Sequence, residues 1–110
     1  MSKTALGLDK NISALIAYAL GWISGLAVIL IEKNDEFVRF HAMQSIITFG
    51  ALTILSIFAG WAFFYFSFFG SIIHIATIAL WVILMVKAYQ GEKFKLPIIG
   101  DLATQWVNKI

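Results

Sequence analysis

Charged and uncharged positions fall into blocks along this chain rather than alternating. From Ile12 to Ile31 twenty consecutive residues carry no charge. At about 1.5 Å per residue a helix of that length spans about 30 Å, one hydrocarbon thickness. A second uncharged run extends from His41 to Val86. As one helix it would measure about 69 Å, more than twice a bilayer core, so it must fold back on itself. The natural break is Ser67-Phe68-Phe69-Gly70-Ser71, at the end of a stretch from Trp61 to Phe69 that holds seven aromatics, rings suited to the headgroup level. The pattern predicts an all-α integral membrane protein with three transmembrane helices, at about 12–31, 42–66 and 71–88.

The remaining segments read as interface. In Glu32-Lys33-Asn34-Asp35-Glu36, Asn34 or Asp35 can cap the following helix by accepting from its free amides, and Glu36 favours its positive end. Gln90-Gly91 and Pro97 stop the last crossing. Leu102, Ala103, Trp106, Val107 and Ile110 then recur at helical spacing, opposite Thr104, Gln105, Asn108 and Lys109, which predicts a short C-terminal amphipathic helix lying in the membrane interface. No internal repeat or second domain interrupts residues 1–110.

Composition supports this reading: 61% of the 110 residues are apolar and 13% charged, about half the charged share of a soluble domain. Net charge is +2, too small and too scattered for nucleic-acid binding. The absence of cysteine excludes a disulfide framework, a thiolate metal site and a cysteine nucleophile. With three crossings, the N-terminus and the 67–71 hairpin carry only Lys3 and Lys10. The other side carries Lys33, Arg39, Lys87, Lys93, Lys95 and Lys109. The positive-inside tendency then sets the N-terminus outside and the C-terminus in the cytoplasm of a prokaryotic plasma membrane.

Candidate chemistry is sparse. Asp9, Glu32, Asp35, Glu36, Glu92 and Asp101 all fall in loops or at helix ends, no crossing contains a carboxylate, and there is no Gly-rich phosphate loop. Neither an enzyme, nor a cofactor, nor a metal site is expected. Ala17, Gly21 and Gly25 recur every four residues and allow close backbone approach, either to another copy of the chain or to the protein's own helices. The densest polar group is His41, Gln44, Ser45 and Thr48, one stripe at i, i+3, i+4, i+7 with Arg39 just before it. Such a stripe can bind a lipid phosphate, grip an unstructured peptide, line a water path, or simply hydrogen-bond between helices, and on every reading it should be buried in protein. His74 lies about one turn into the third crossing, too far from His41 to share a metal, and reads as an interfacial residue sharing hydrogen bonds with Thr77 or Ser71, with proton relay as the alternative.

Two segments look familiar: Glu32-Lys33 with Phe37-Val38-Arg39-Phe40-His41-Ala42-Met43-Gln44-Ser45, and Lys87-Ala88-Tyr89-Gln90-Gly91-Glu92-Lys93-Phe94-Lys95-Leu96-Pro97-Ile98-Ile99-Gly100-Asp101. Together with Gly21-Trp22 they resemble an uncharacterised family of small prokaryotic membrane proteins. That family is regarded as similar to the channel-forming subunit of the chloroplast inner-envelope protein-import translocon. The resemblance implies a membrane location and no assigned enzymatic activity. Both motifs lie on one side of the expected topology, so Glu32, Arg39, His41, Gln44 and Ser45 should meet Lys87, Tyr89, Gln90 and Glu92 in a cytoplasmic-face polar cluster, where Arg39 pairs with Glu32 or Glu92. The expected function is a non-enzymatic, self-associating membrane subunit or assembly factor that binds a protein or peptide partner at this cluster. The alternative is a small oligomeric transporter or pore lined by the His41–Thr48 stripe, and a third reading is a lipid-binding, membrane-shaping role for the terminal helix.

Overall fold

A computed structural model describes residues 7–58 and 67–109, and its regular elements are all helical. These are α1 (Lys10–Ala19), α2 (Trp22–Ile31), α3 (Glu36–Phe58), α4 (Phe68–Tyr89) and α5 (Ile99–Val107). Two helices are long and apolar enough to cross a membrane, Glu36–Phe58 and Gly70–Tyr89. The last part of the expected second crossing, 59–66, with the aromatics from Trp61 to Phe66, lies outside the described residues, as does Lys3.

The 12–31 run departs from expectation. It forms two ten-residue helices, each about 15 Å long and so about half a bilayer core. The break is at Gly21, whose φ of 64° and ψ of −135° lie where only glycine is comfortable. The contacts show that the chain reverses there. Lys10 sits over the Phe37 ring and Gly21 lies against Phe49, so α1 runs alongside α3 in the same direction. Gly25 then meets Ala42, and Ile29 and Glu32 meet Arg39, so α2 returns along α3 the opposite way. The expected first crossing is therefore a helical hairpin whose two ends lie together, with its tip level with Phe49. Asn11 donates to the Tyr89 carbonyl (3.0 Å), which sets the start of α1 beside the end of α4.

The capping signals behave as their chemistry demands. The Asp35 carboxylate accepts from Val38 N (3.0 Å) to start α3, and the Ser67 hydroxyl accepts from Gly70 N to start α4. The core is built where the hairpin meets α3. Ala17, Val28, Ile29, Val38, Phe40, Ala42, Met43 and Ala103 form one cluster, and Ala14, Tyr18, Phe49, Leu84, Ala88 and Leu96 form another. Ala103 and Val107 bring α5 onto the first cluster, leaving Trp106 and Ile98 exposed. The outer turns of α3 and most of α4 stay uncovered. Every charged residue among those described thus falls at the end where the hairpin opens, which we call the charged end, and the far halves of α3 and α4 form the apolar end.

Candidate functional site

The polar stripe of α3 is the centre of the charged end. His41, Gln44 and Ser45 are fully buried, and each has a defined partner. His41 Nε2 lies 2.9 Å from the Glu92 carbonyl. A carbonyl can only accept, so Nε2 carries the proton and Nδ1 is left to accept from the Tyr18 hydroxyl at 2.6 Å. The Tyr18 oxygen in turn accepts from the Gln44 amide (2.9 Å). The second Gln44 N–H reaches the Phe94 carbonyl (2.9 Å), and Gln44 Oε1 accepts from Leu96 N (3.0 Å). Phe37, Phe40 and Tyr18 enclose the imidazole at 4.6 to 5.4 Å, each edge-on to it, a favourable arrangement for ring pairs.

The groups so engaged belong to residues 92, 94 and 96, alternate positions of a non-helical segment. Alternation is what an extended chain offers to one side. α3 and α1 therefore form a groove that reads the backbone of an extended peptide, and the chain's own 92–96 segment fills it. Only Leu96 is buried, inserted among Ala14, Tyr18 and Leu84, while Glu92, Lys93 and Lys95 remain exposed. Lys93 lies over the Phe40 ring at 4.9 Å, a cation–π contact at the rim.

The other expected site residues divide between groove and rim. Arg39 Nη1 donates to the Ile29 (3.2 Å) and Glu32 (2.6 Å) carbonyls, so it caps the C-terminus of α2, where a cation suits the dipole. The buried Glu32 carboxylate accepts from Asn34 N and Asp35 N, both at 3.1 Å. Of the two carboxylates expected for Arg39, Glu92 is held instead by Lys87 at 3.2 Å. Tyr89, Gln90 and Glu92 are exposed at the rim. Ser45 donates to the Gly21 carbonyl (2.8 Å) at the hairpin tip, and Thr48 is buried with its hydroxyl unpartnered. The small-residue face is used within the chain: a Cβ on Gly25 would lie 2.9 Å from the Ala42 carbonyl oxygen.

Comparison with known proteins identifies a family for the chain. Residues 4–103 match the magnetosome magnetite crystal formation protein family. The chain belongs to that family. It is similar to two UPF0132 membrane proteins of Methanocaldococcus jannaschii. One is 47% identical over 96% of each chain, and the other 45% identical over 96% of this chain and 75% of its own. A UPF0132 membrane protein of Archaeoglobus fulgidus is 35% identical over 94% of this chain and all of its own length. No solved structure matches. The relatives are membrane proteins, in keeping with the exposed apolar surfaces of α3 and α4. Among the described residues no three His, Cys, Asp or Glu side chains gather as they would around a metal ion.

The reversal at the hairpin tip frees backbone groups that need partners where protein encloses them. This family member satisfies them with side chains from three helices. Ser24 Oγ accepts from Leu20 N (2.9 Å) and faces the Ala17 and Gly21 carbonyls at 3.1 and 3.3 Å. Ser45 reaches the Gly21 carbonyl from α3, and Trp81 Nε1 donates to the Tyr18 carbonyl (2.6 Å) from α4. Beyond the tip a cleft of about 310 Å³ opens between α3 and α4, and His74 lines it. Sequence reasoning missed Tyr18, Ser24 and Trp81. Their available signal was a polar-tipped or hydroxyl side chain inside an apolar run, which is common in membrane helices whatever its role.

Proposed function

We propose that this protein is a non-enzymatic membrane subunit or assembly factor that holds extended peptide segments by their backbone at its charged face. The observation that carries the reading is the Gln44 amide, which donates to the Phe94 carbonyl and accepts from Leu96 N. Pairing of this kind is indifferent to side-chain identity except at one apolar pocket, as in other modes of extended-peptide recognition. The 92–96 segment acts as a resident occupant, flanked by Gly91 at φ 82° and by the turn at Ile98. A partner segment with an apolar residue in the Leu96 register would meet the same donors and acceptors. The half-buried Lys87 and the exposed Tyr89, Gln90 and Glu92 form the rim such a partner touches first. The similarity expected between the family that the motifs resemble and the chloroplast import subunit suggests translocating or assembling polypeptides as the partner class. Enclosure of the stripe within its own subunit supports this reading over a pore lined by that stripe.

In the proposed topology α3 and α4 cross the cell membrane and the α1–α2 hairpin re-enters it. Both terminal segments and the 32–35 loop then face the cytoplasm. Clustering of the described charges at one end supports this orientation, as does irregular backbone at membrane depth occurring only where protein surrounds it. The chain has no cysteine, so single cysteines at Leu8, Asn34 and Asn108 report cleanly. All three should react with an impermeant maleimide from the cytoplasmic side alone. Labelling of the Leu8 position from outside would restore three crossings.

The groove is tested with a photoreactive phenylalanine analogue at Phe37, whose ring lies 4.6 Å from His41. A soluble peptide spanning residues 91–98 should be labelled in competition with the resident segment. The same peptide N-methylated at the Leu96 nitrogen should not. Equal labelling of both peptides, or of neither while the protein remains folded, would sink the proposal.

A further inference from the structure

The apolar end carries its own polar chemistry. The cleft of about 310 Å³ beyond the hairpin tip is lined by Gly21 and Trp22, by Thr53 and Ser56 of α3, and by His74 and Thr77 of α4. None of its lining residues is a Lys, Arg, Asp or Glu. Its volume lies at the lower end of small-molecule sites. An adjoining groove of about 290 Å³ shares Leu52, Ile73 and Thr77 with it and is otherwise lined by Leu55, Ile72, Ala76 and Leu80, all apolar. A polar compartment thus runs into an apolar one between two helices that cross the membrane.

The hydroxyls define what the polar compartment can recognise. Thr53 donates to the Phe49 carbonyl (2.7 Å), Ser56 to Leu52 (2.9 Å) and Thr77 to Ile73 (2.8 Å). A hydroxyl has one proton and two lone pairs. With all three protons committed to their own helices, the cleft is offered oxygen lone pairs, and the matching group is a hydrogen-bond donor. With His74 as the one ionisable side chain of the described lining and no Lys, Arg, Asp or Glu, the cleft offers neither a fixed cation for a phosphate nor a carboxylate for an ammonium. An uncharged hydroxyl is the remaining match, and the apolar groove beside it suits a hydrocarbon chain. The site lies toward the apolar end, since His74 is six residues from the start of α4, about 9 Å along the helix, and Ser56 belongs to the last described turn of α3.

We propose that this cleft binds one neutral hydroxyl-bearing lipid, its single O–H proton donated to the lone pairs that Thr53, Ser56 and Thr77 offer and its chain laid in the Leu55–Ala76 groove. The full-length protein in phosphatidylcholine nanodiscs is loaded with dioleoylglycerol or with its O-methyl ether, and retained lipid is read by native mass spectrometry. Dioleoylglycerol should be retained in preference to the ether. Removing all three acceptors together (Thr53→Val, Ser56→Ala and Thr77→Val) should weaken retention about fivefold, the equivalent of the one net hydrogen bond that a single hydroxyl proton makes. Thr53→Ser, which keeps the oxygen, should bind as the wild type does. Equal retention of the ether would mean an unspecific apolar annulus and overturn the proposal. Free glycerol binding as tightly as dioleoylglycerol would overturn it in favour of a polyol solute. Loss of lipid as the protein dimerises would overturn it in favour of a second copy of the chain.

Discussion

The two halves of α3 share one helix and face opposite fates. Phe40, in the first half, is 1% exposed, and Phe58, at the end of the second, is 85% exposed. Around Phe40 pack α1, α2, α5 and the 92–96 segment, and every residue from Val38 to Ser45 is buried. Beyond Gly50 few residues are covered at all. The buried half holds Arg39, His41, Gln44 and Ser45, while the exposed half holds Ile54, Leu55, Ile57 and Phe58. That is the inverse of a soluble protein, and it follows from the solvent. Hydrocarbon already satisfies an apolar side chain, so helices in a membrane gain little by hiding leucines from it. Cohesion comes instead from close packing and hydrogen bonds, and the sequence concentrates both at the charged end.

If cohesion resides there, the largest losses should come from the groove. Gln44→Leu keeps the bulk of the side chain but strips the Phe94 carbonyl, Leu96 N and the Tyr18 oxygen of their Gln44 partner. Leaving buried polar groups unpaired costs about 1–3 kcal/mol, so we expect about 3 kcal/mol of stability lost in mixed-micelle unfolding, with residues 92–96 becoming protease-sensitive. Unchanged protease resistance would show that the segment is held by Leu96 packing alone. Gly21→Ala comes next. A Cβ there would sit 3.4 Å from that of Phe49, an ordinary contact, so the cost is conformational. Holding a residue with a Cβ at φ 64° should destabilise by about 1–3 kcal/mol. Reactivity of a cysteine at Leu8 should become mixed between the two membrane faces if the hairpin opens into a single span.

Which parts of this were legible beforehand follows the same division. Apolar run lengths are a direct physical measure, and they located α3 and α4. The amphipathic period of 102–107 located α5. Run length misread 12–31, because twenty apolar residues suit one crossing and two half-crossings equally well. The glycine that decides between them was noticed for its smallness rather than for its freedom at positive φ. The cluster at the charged end was legible only in part, since His41 does meet the Glu92 carbonyl, while Arg39 turns to the end of α2 and Gln44 to residues 94 and 96. Its internal wiring was not. The Gln44 partners are backbone atoms, which have no sequence signature, and Tyr18 reaches the stripe only because the hairpin turns back.

The smaller effects separate tip from surface. Ser24→Ala removes the acceptor of Leu20 N and the hydroxyl facing two carbonyls. One net hydrogen bond of this kind is worth about 1 kcal/mol, and that is the loss expected in the same unfolding assay, with the neighbouring Ser45 and Trp81 contacts retained. A loss near that of Gly21→Ala would mean that the tip is held by Ser24 as a unit rather than by three helices in parallel.

Ile54→Ala, at the apolar end, gives the sharpest contrast with Gln44→Leu. Ile54 is 55% exposed, and lipid chains fill the space that truncation leaves, so neither a cavity nor an unpaired polar group results. Substitutions away from such features change stability by less than about 0.5 kcal/mol, and the unfolding midpoint should not move. The same truncation in a buried aliphatic cluster costs about 2–5 kcal/mol, so the two outcomes are well separated. A loss in that higher range in native-lipid nanodiscs would mean that protein covers this face in the membrane. The uncovered half of α3 would then be one side of an interface between copies, and the division of the helix into a cohesive end and a lipid-facing end would fail.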